Sequence, residues 1–265
     1  MSNDPSDPFN KKLSVKKLLD DAHTAGTLST VAKATLEVVD LGAQIQAGLG
    51  VNVDDVAASE VVLVSMMPDD SGSISAAGNT TAVRDGHNLV LDALAKSKQA
   101  GDMFVHTRYL NGHVLYPYTP LGGAVRMTQA NYQADKGTPL YDQTVVLLGT
   151  VIAKSQEFAQ AGVPVRTVTL LITDGGDCGS TRSSAKDVKA LVHDLLAQEC
   201  HVVAAMGISD GTTDFKKVFR DMGIPDRWIL TPGNSAVEIR RAFQVFSQSA
   251  AAIGGAGAQL GGFAN

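Results

Sequence analysis

The sequence predicts an α/β domain built on a doubly wound, mostly parallel sheet of six strands, with one antiparallel edge strand and helices on both faces. From residue 60 onward, short apolar runs alternate with helical patterns almost throughout. The run at 60–66 is apolar and ends at Pro68, as expected of a buried central strand. Asn111-Gly112 separates two β-rich runs, which indicates a type I′ hairpin and gives the sheet its antiparallel strand.

The composition is that of an ordinary globular protein, with 44% hydrophobic and 18% charged residues among 265. A net charge of −5, no Lys/Arg run longer than two and few aromatics argue against nucleic acid as a partner. The sequence begins with polar and acidic residues, and no apolar stretch approaches the ~20 residues of a membrane span. We therefore expect a cytoplasmic protein without membrane contact. Its two cysteines, Cys178 and Cys200, are expected at opposite ends of the sheet as free thiols.

The predicted elements follow one another with short connections. The strands are expected at 60–66, 103–110, 113–118, 165–173, 201–207 and 228–230. The helices of the sheet domain are expected at 80–98, from the Pro139 turn to 161, and at 184–199, 214–222 and 235–251.

The N-terminal part reads as a helical extension of this domain. A short helix is expected at 14–25, with Ser14 as its N-cap, and a longer amphipathic helix at 28–49. The apolar stripe of the longer helix comprises Leu28, Val31, Thr35, Val38, Gly42, Ile45 and Leu49. This helix either packs on the domain's own edge or docks a partner. The expected organisation is a disordered segment 1–13, the extension and linker 14–59, the main domain 60–251 and a flexible Gly/Ala-rich tail 252–265.

Oxygen-bearing side chains follow two of the predicted strands. Asp69, Ser71 and Ser73 alternate directly after the first strand, in a tight loop where three oxygens can converge on one small hard cation. Asp174 directly follows the strand at 165–173. If these strands are neighbours at the point where strand order reverses, the two carboxylates face each other. We expect a metal site there.

Three segments, taken in order, resemble a von Willebrand factor A domain with its metal-ion-dependent adhesion site. They are Asp69-x-Ser71-x-Ser73, Gly137-Thr138-Pro139-Leu140-Tyr141-Asp142 and Leu171-Ile172-Thr173-Asp174-Gly175. The resemblance extends over residues 60–250. The segment Ser235-Ala236-Val237-Glu238-Ile239-Arg240-Arg241-Ala242-Phe243 further resembles bacterial cytosolic members of the tellurite-resistance, TerY-like type.

The resemblance implies a role for each residue of the site. Ser71 and Ser73 would bind the ion through their hydroxyls, Thr138 directly or through water, and Asp69 and Asp174 mostly through bridging waters. Five oxygen ligands suit Mg²⁺, with Mn²⁺ and Ca²⁺ as alternatives. Two carboxylates balance the charge of a divalent ion, so an incoming Asp or Glu of a protein partner is attracted to it. The family further implies work in a multiprotein assembly, with AAA+ ATPases, kinases or phosphatases as partners.

Two features depart from the family pattern. Met66-Met67-Pro68 replaces the usual approach to the first aspartate, so the strand is expected to end early or to bulge there. Asp70 and Asp177 add negative charge near the rim, which is expected to weaken attraction for an acidic ligand.

Rival interpretations concern the same residues. A haloacid-dehalogenase phosphohydrolase needs a second acid two residues after the first Asp, where this chain has Ser71. We find no general base placed against a nucleophile, so we expect a binding module and not an enzyme. A structural scaffold, in which the metal only stabilises loops, is the second alternative. Asp142 either holds a loop by hydrogen bonds or complements the helix N-terminus. His87 is expected in the core, and His106 and His113 at the surface or in cross-strand contacts.

Overall fold

The computed structural model describes residues 14–38, 41–253 and 262–263. The predicted disordered segment 1–13 and most of the predicted tail lie outside the described residues. The helices are α1 (Val15–Thr24), α2 (Thr30–Leu36), α3 (Leu41–Leu49), α4 (Gly72–Ala76), α5 (Thr80–Leu94), α6 (Leu140–Gln160), α7 (Ala185–Leu196), α8 (Phe215–Asp221) and α9 (Ala236–Ile253). The strands are β1 (Val61–Met67), β2 (Met103–Arg108), β3 (Val114–Pro120), β4 (Val165–Thr173), β5 (His201–Gly207) and β6 (Ile229–Leu230).

The six strands form one sheet in the order β3-β2-β1-β4-β5-β6. Strand β1 pairs in parallel with both β2 and β4, while β3 pairs antiparallel with β2 at the edge. The predicted fold class is therefore confirmed. After β2 and β3 the chain crosses to the other side of β1, so the winding reverses between β1 and β4.

Strand β1 is buried along its whole length. Its pairing with β4 is regular and reaches Met67, which lies opposite Leu171. The expectation that the strand ends early or bulges before Pro68 is therefore wrong. Pro68 comes after the last paired residue, so its missing N–H removes no bond from the ladder. Its carbonyl remains engaged, because it accepts a hydrogen bond from the N–H of Leu110 at 3.1 Å.

The hairpin between β2 and β3 is present, but its predicted type I′ turn is wrong. Tyr109 N–H donates to the His113 carbonyl, and Gly112 N–H donates to the Tyr109 carbonyl, each at 2.8 Å. These bonds enclose a three-residue loop, 110–112. Within it only Gly112 has a positive φ, +94°, whereas a type I′ turn needs two such residues. The loop matches a type I turn followed by a left-handed glycine.

The N-terminal extension begins as predicted, with the Ser14 side chain capping α1, but the single helix expected at 28–49 is wrong. Two helices, α2 and α3, occupy that region, and residues 39–40 between them lie outside the described part. In α2 and the residues that flank it, the buried positions are Leu28, Ala32 and Leu36, and the exposed ones include Val31 and Val38, at 62% and 40% exposure. The helix is therefore rotated relative to the predicted stripe, because Ala32 and Leu36 face the core.

These helices pack on the domain itself. Helices α1 and α3 lie against α6, and α2 lies against α7. Close approach depends on Gly149 of α6, where a Cβ would stand 2.7 Å from Leu36 Cδ2 and 2.8 Å from Ile45 Cδ1. On the opposite face, α5 and α9 meet at Gly86, where a Cβ would lie 2.1 Å from the Phe243 ring. Of the two alternatives for the extension, the structure shows packing on the domain.

Three histidines are buried in this core in neutral form. His87 Nε2 lies 3.0 Å from the Thr107 hydroxyl, and His106 Nδ1 lies 2.9 Å from the Tyr116 carbonyl across the hairpin. Burial lowers the pKa of His87 and His201 to about 4 and that of His106 to about 3. His87 is thus a core residue, as predicted, and His106 makes a cross-strand contact, whereas His113 is exposed.

We expect a His87→Gln variant to lose stability less steeply in acid than the wild type. The folded-state pKa of His87 is depressed, so the unfolded chain binds the extra proton as the pH falls below about 6.5, and folding is then disfavoured down to about pH 4. Across this window the free energy of unfolding of the wild type should fall about 1.4 kcal/mol per pH unit more than that of the variant. Urea titrations at several pH values measure the difference. A variant at exposed His113 should follow the wild type, and parallel curves for His87→Gln and wild type would contradict the prediction.

Candidate metal centre

The predicted metal ligands lie at the carboxyl edge of the sheet. Asp69 comes two residues after the end of β1, and Asp174 directly follows the end of β4. These two strands are neighbours on either side of the point where the winding reverses, which is where ligands bind in open α/β sheets.

Asp69 is fully buried and is held by both strands. Its Oδ1 accepts from the Ser71 N–H at 2.7 Å. Its Oδ2 accepts from the Thr173 hydroxyl at 2.7 Å and from the Asp174 N–H at 3.3 Å. The Tyr132 hydroxyl donates to the Asp69 carbonyl. Hydrogen bonds within the protein therefore fix both the carboxylate and the backbone carbonyl of Asp69.

A chain of hydrogen bonds joins the remaining ligands of the first and third segments. Ser71 Oγ lies 2.8 Å from Ser73 Oγ, and the Ser73 hydroxyl donates to Asp174 Oδ1 at 2.6 Å. Ser71 occupies the N-cap position of α4, but its side chain makes no capping bond there. An octahedral Mg²⁺ with bonds of ~2.1 Å holds neighbouring oxygens about 3 Å apart. The 2.8 Å between the Ser71 and Ser73 hydroxyl oxygens is close to that spacing.

Thr138 is buried and its segment lies between the other two. Its N–H donates to the Cys178 carbonyl at 3.2 Å, and the Cys178 N–H donates to the Thr138 carbonyl at 2.8 Å. Two residues earlier, the Lys136 carbonyl accepts from the Gly72 N–H at 2.9 Å. Backbone pairing thus brings the second segment against the loops that follow β1 and β4. All five predicted residues, Asp69, Ser71, Ser73, Thr138 and Asp174, fall in this one region.

A reciprocal clasp, formed by Asp142 and Asp177, fixes the start of α6 to the loop after β4. Asp142 accepts from the N–H groups of Thr181, Arg182 and Ser183 at 2.9, 3.2 and 2.7 Å. In return, Asp177 Oδ1 accepts from the Tyr141 N–H at 3.1 Å. Asp142 therefore holds the loop by hydrogen bonds, as in the first of its two predicted roles, and it also lies in the first turn of α6, as the second requires.

The surroundings of Asp69 and Asp174 disfavour the charged form of both carboxyl groups. Burial raises the pKa of Asp69, against the opposing hydrogen bonds from Ser71 and Thr173. Burial likewise raises the pKa of Asp174, and the charge of Asp69 adds to the effect. A divalent cation supplies the positive charge that such a pair lacks. Ser73 is the exposed member of the hydroxyl pair, so the site opens to solvent on its side.

Asp70 does not place a charge at the exposed rim of the predicted metal site. It is 1% exposed, its Oδ1 accepts from the Asn111 N–H at 3.0 Å, and burial raises its pKa to about 7. This bond anchors the hairpin loop beside the site. Asp177 is likewise engaged with the backbone, in the clasp. The predicted excess of negative charge at the rim is therefore smaller than residue types alone indicate.

Several supporting residues were not identified from the sequence. Thr173 belongs to the third of the three segments, but no role was predicted for it. Its hydroxyl orients Asp69. Tyr132 lies between the predicted hairpin and the helix predicted after Pro139, outside every predicted element, and carries no sequence signal. Within the described residues, no group of three or more His, Cys, Asp or Glu side chains is placed to hold a metal. The predicted site has two carboxylates, and its other ligands are hydroxyls. Both cysteines are free thiols, as predicted.

No protein-family model and no curated protein matches this sequence. Among solved structures, the pilus adhesin SpaC of Lactobacillus rhamnosus GG aligns with a TM-score of 0.52 at 14% identity, covering 74% of this chain and 30% of SpaC. A von Willebrand factor type A protein from Catenulispora acidiphila aligns at 0.45 and 18% identity, covering 74% and 43%. Manganese-loaded Plasmodium vivax TRAP aligns at 0.39 and 17% identity, covering 70% and 73%.

These identities show likeness of fold alone, and the two alignments with TM-scores below 0.5 carry no argument. The chain corresponds to less than half of the length of SpaC and of the Catenulispora protein. The order and directions of the strands define the class of the protein: a doubly wound, mostly parallel α/β domain with one antiparallel edge strand. None of the described helices is long and apolar enough to cross a membrane.

Proposed function

We propose that this chain is a metal-dependent protein-interaction module of the von Willebrand factor A type. Asp69, Ser71, Ser73, Thr138 and Asp174 hold one divalent cation, Mg²⁺ in preference to Mn²⁺ or Ca²⁺. The ion takes the carboxylate of an Asp or Glu side chain presented by a protein partner. The observation that carries this proposal is the row of hydrogen-bonded side chains Ser71, Ser73 and Asp174. This row lies next to the buried Asp69 and is open to solvent at Ser73.

The donor set supports capture of an acidic ligand. Three of the five proposed ligands are neutral hydroxyls, so the two carboxylates only balance the charge of a divalent ion. An ion held in this way remains attractive to another carboxylate. The bound ion supplies this electrostatic attraction, while the chain orients the oxygens through the Asp69 bonds and the clasp. The proposal includes no catalytic step, because it assigns the Ser73 hydroxyl and the Asp174 carboxylate, which are hydrogen-bonded to each other, to the ion.

The proposal also includes the kind of assembly in which the chain works. The likeness of residues 235–243 to TerY-like proteins favours a bacterial cytosolic assembly, with an AAA+ ATPase, a kinase or a phosphatase as the partner. The second candidate is a structural scaffold in which the ion only stabilises the loops. The many loop-to-loop hydrogen bonds around Asp69 and Asp142 favour a structural role for this region, because they tie together the same loops that the ion would stabilise.

Affinity capture from the native cell distinguishes the two candidates. We expect a partner to be retained in Mg²⁺, lost in EDTA and recovered when Mg²⁺ is restored. Ser73→Ala should abolish capture, because it removes the exposed ligand. Ser75→Ala is the matched control, since Ser75 is another exposed serine of α4 outside the ligand set. Capture that survives both EDTA and Ser73→Ala, with the fold intact by circular dichroism, would favour the scaffold.

A further inference from the structure

Residues 127–136 form an irregular segment between the β2–β3 hairpin and Thr138, and they contain no helix or strand. We refer to this segment as the strap. Its first residue is held on α5 by the side-chain amide of Asn88, which accepts from the Met127 N–H at 3.0 Å and donates to the Met127 carbonyl at 2.9 Å. The strap is therefore anchored to the body of the domain although it has no regular structure of its own.

The ring of Tyr132, in the strap, is fixed by its neighbours. Tyr132 is 1% exposed and packs against Tyr109, which directly follows β2, with ring centroids 5.4 Å apart. The Tyr109 hydroxyl donates to the Asn131 carbonyl at 2.8 Å, so the peptide group that precedes Tyr132 is held as well. Packing and hydrogen bonding together aim the Tyr132 hydroxyl at one acceptor, the Asp69 carbonyl.

Three hydrogen bonds join the strap to residues 69–73, the loop that carries three of the proposed metal ligands. They are donated by the Tyr132 hydroxyl to the Asp69 carbonyl, by the Lys136 N–H to the Asp70 carbonyl at 3.0 Å, and by the Gly72 N–H to the Lys136 carbonyl at 2.9 Å. These bonds fix peptide groups on both sides of Ser71. The Asp69 carbonyl belongs to the peptide group that leads from Asp69 to Asp70, so rotation of this group would move Ser71 relative to Asp69.

We propose that Tyr132 is a positioning residue of the metal centre, whose hydroxyl holds the 69–73 loop in the arrangement that binds the cation. This inference rests on the proposed function, because it concerns the ion assigned to Asp69 and Ser71. Tyr132 acts through the backbone of Asp69 and not as a ligand. A loop that is already ordered loses less conformational entropy when the ion binds, so its affinity is higher. Without the hydroxyl, the Asp69 carbonyl loses its partner and the loop is less restricted.

The affinity for Mn²⁺ tests this role in the full-length chain. Tyr132→Phe removes the hydroxyl and keeps the ring, and we expect it to weaken Mn²⁺ binding about 10-fold in isothermal titration. Tyr118→Phe is the matched control. It removes another buried tyrosine hydroxyl, which lies 2.6 Å from the Ser65 hydroxyl on β1, and should bind Mn²⁺ as the wild type does. A loss of stability in Tyr132→Phe with unchanged Mn²⁺ affinity would overturn the proposal, because it would show a purely structural hydroxyl.

Amide hydrogen exchange of the metal-free protein gives a second readout. The N–H groups of Gly72 and Lys136 should exchange several-fold faster in Tyr132→Phe than in the wild type, and unchanged exchange at both would also overturn the proposal. The titration separates this inference from the proposed function. A wild type that binds no Mn²⁺ would refute both, whereas equal binding by the wild type and Tyr132→Phe would refute only the role of Tyr132.

Discussion

Replacement of Lys154 by methionine is expected to lower the free energy of unfolding by about 3–5 kcal/mol. The Lys154 ammonium has no solvent exposure, and its Nζ lies 2.7 Å from Glu157 Oε2. It also donates to the Val51 carbonyl and lies 5.1 Å from the centroid of the Phe158 ring. Removing the cation leaves the Glu157 carboxylate, itself 8% exposed, without its partner in a low-dielectric interior. Urea unfolding monitored by circular dichroism measures the loss.

The double variant Lys154→Met/Glu157→Met separates the cost of an unpaired charge from the cost of lost packing. Since replacing a buried ion pair by apolar side chains is often neutral, we expect it to recover most of the stability lost in the single variant. Lys217→Met, which breaks the exposed pair with Asp221, is the surface control and should cost far less stability than Lys154→Met. If the double variant is as unstable as Lys154→Met, the unpaired carboxylate is not the cause.

The second large effect is expected at the proposed metal centre. Asp174→Asn should weaken binding of Mg²⁺ or Mn²⁺ by about 10–100-fold, as for residues that act on a bound ion through water or hydrogen bonds. The metal-free fold should remain, because the amide oxygen of Asn can still accept the Ser73 hydroxyl and the repulsion from Asp69 is removed. Isothermal titration with Mn²⁺ measures the affinity.

Thermal unfolding gives a second measure of the same change. At a metal concentration 100 times its dissociation constant, the wild type should be stabilised by about 2.7 kcal/mol, and the variant by much less. Asp85→Asn, at an exposed carboxylate of α5, should bind and respond as the wild type does. Equal metal affinity and equal stabilisation of Asp174→Asn and wild type would remove Asp174 from the ligand set.

The sequence predicted the fold class because two signals agreed, apolar runs of strand length and their alternation with helices. The positions of Asp69 and Asp174 could also be predicted, since parallel strands align their carboxyl ends at one edge. The supporting hydrogen bonds around the site could not be predicted, because they join residues that are distant in the sequence. The anchoring of Asn111 by Asp70 and the three bonds of Asp142 to loop 181–183 join segments about 40 residues apart.

The N-terminal region shows a different limit. A stripe spaced by three and four residues can be drawn on more than one face of a helix. Val31 and Val38 fit the predicted stripe as well as Ala32 and Leu36 fit the observed face. The choice between them is made by the surface of α6 and α7, and above all by the space that Gly149 leaves for Leu36. Periodicity alone does not contain that information.

The clasp at the start of α6 has a mechanical consequence. Helix α6 has 21 residues and is therefore about 30 Å long. Its first turn is bonded to the Cys178 loop, and further along Lys154 is bonded to the Val51 carbonyl in the linker before β1. A helix of this length bends only gently. Because α1, α2 and α3 pack on α6, we expect a displacement of its first turn, beside the loop that follows Asp174, to shift those three helices as well.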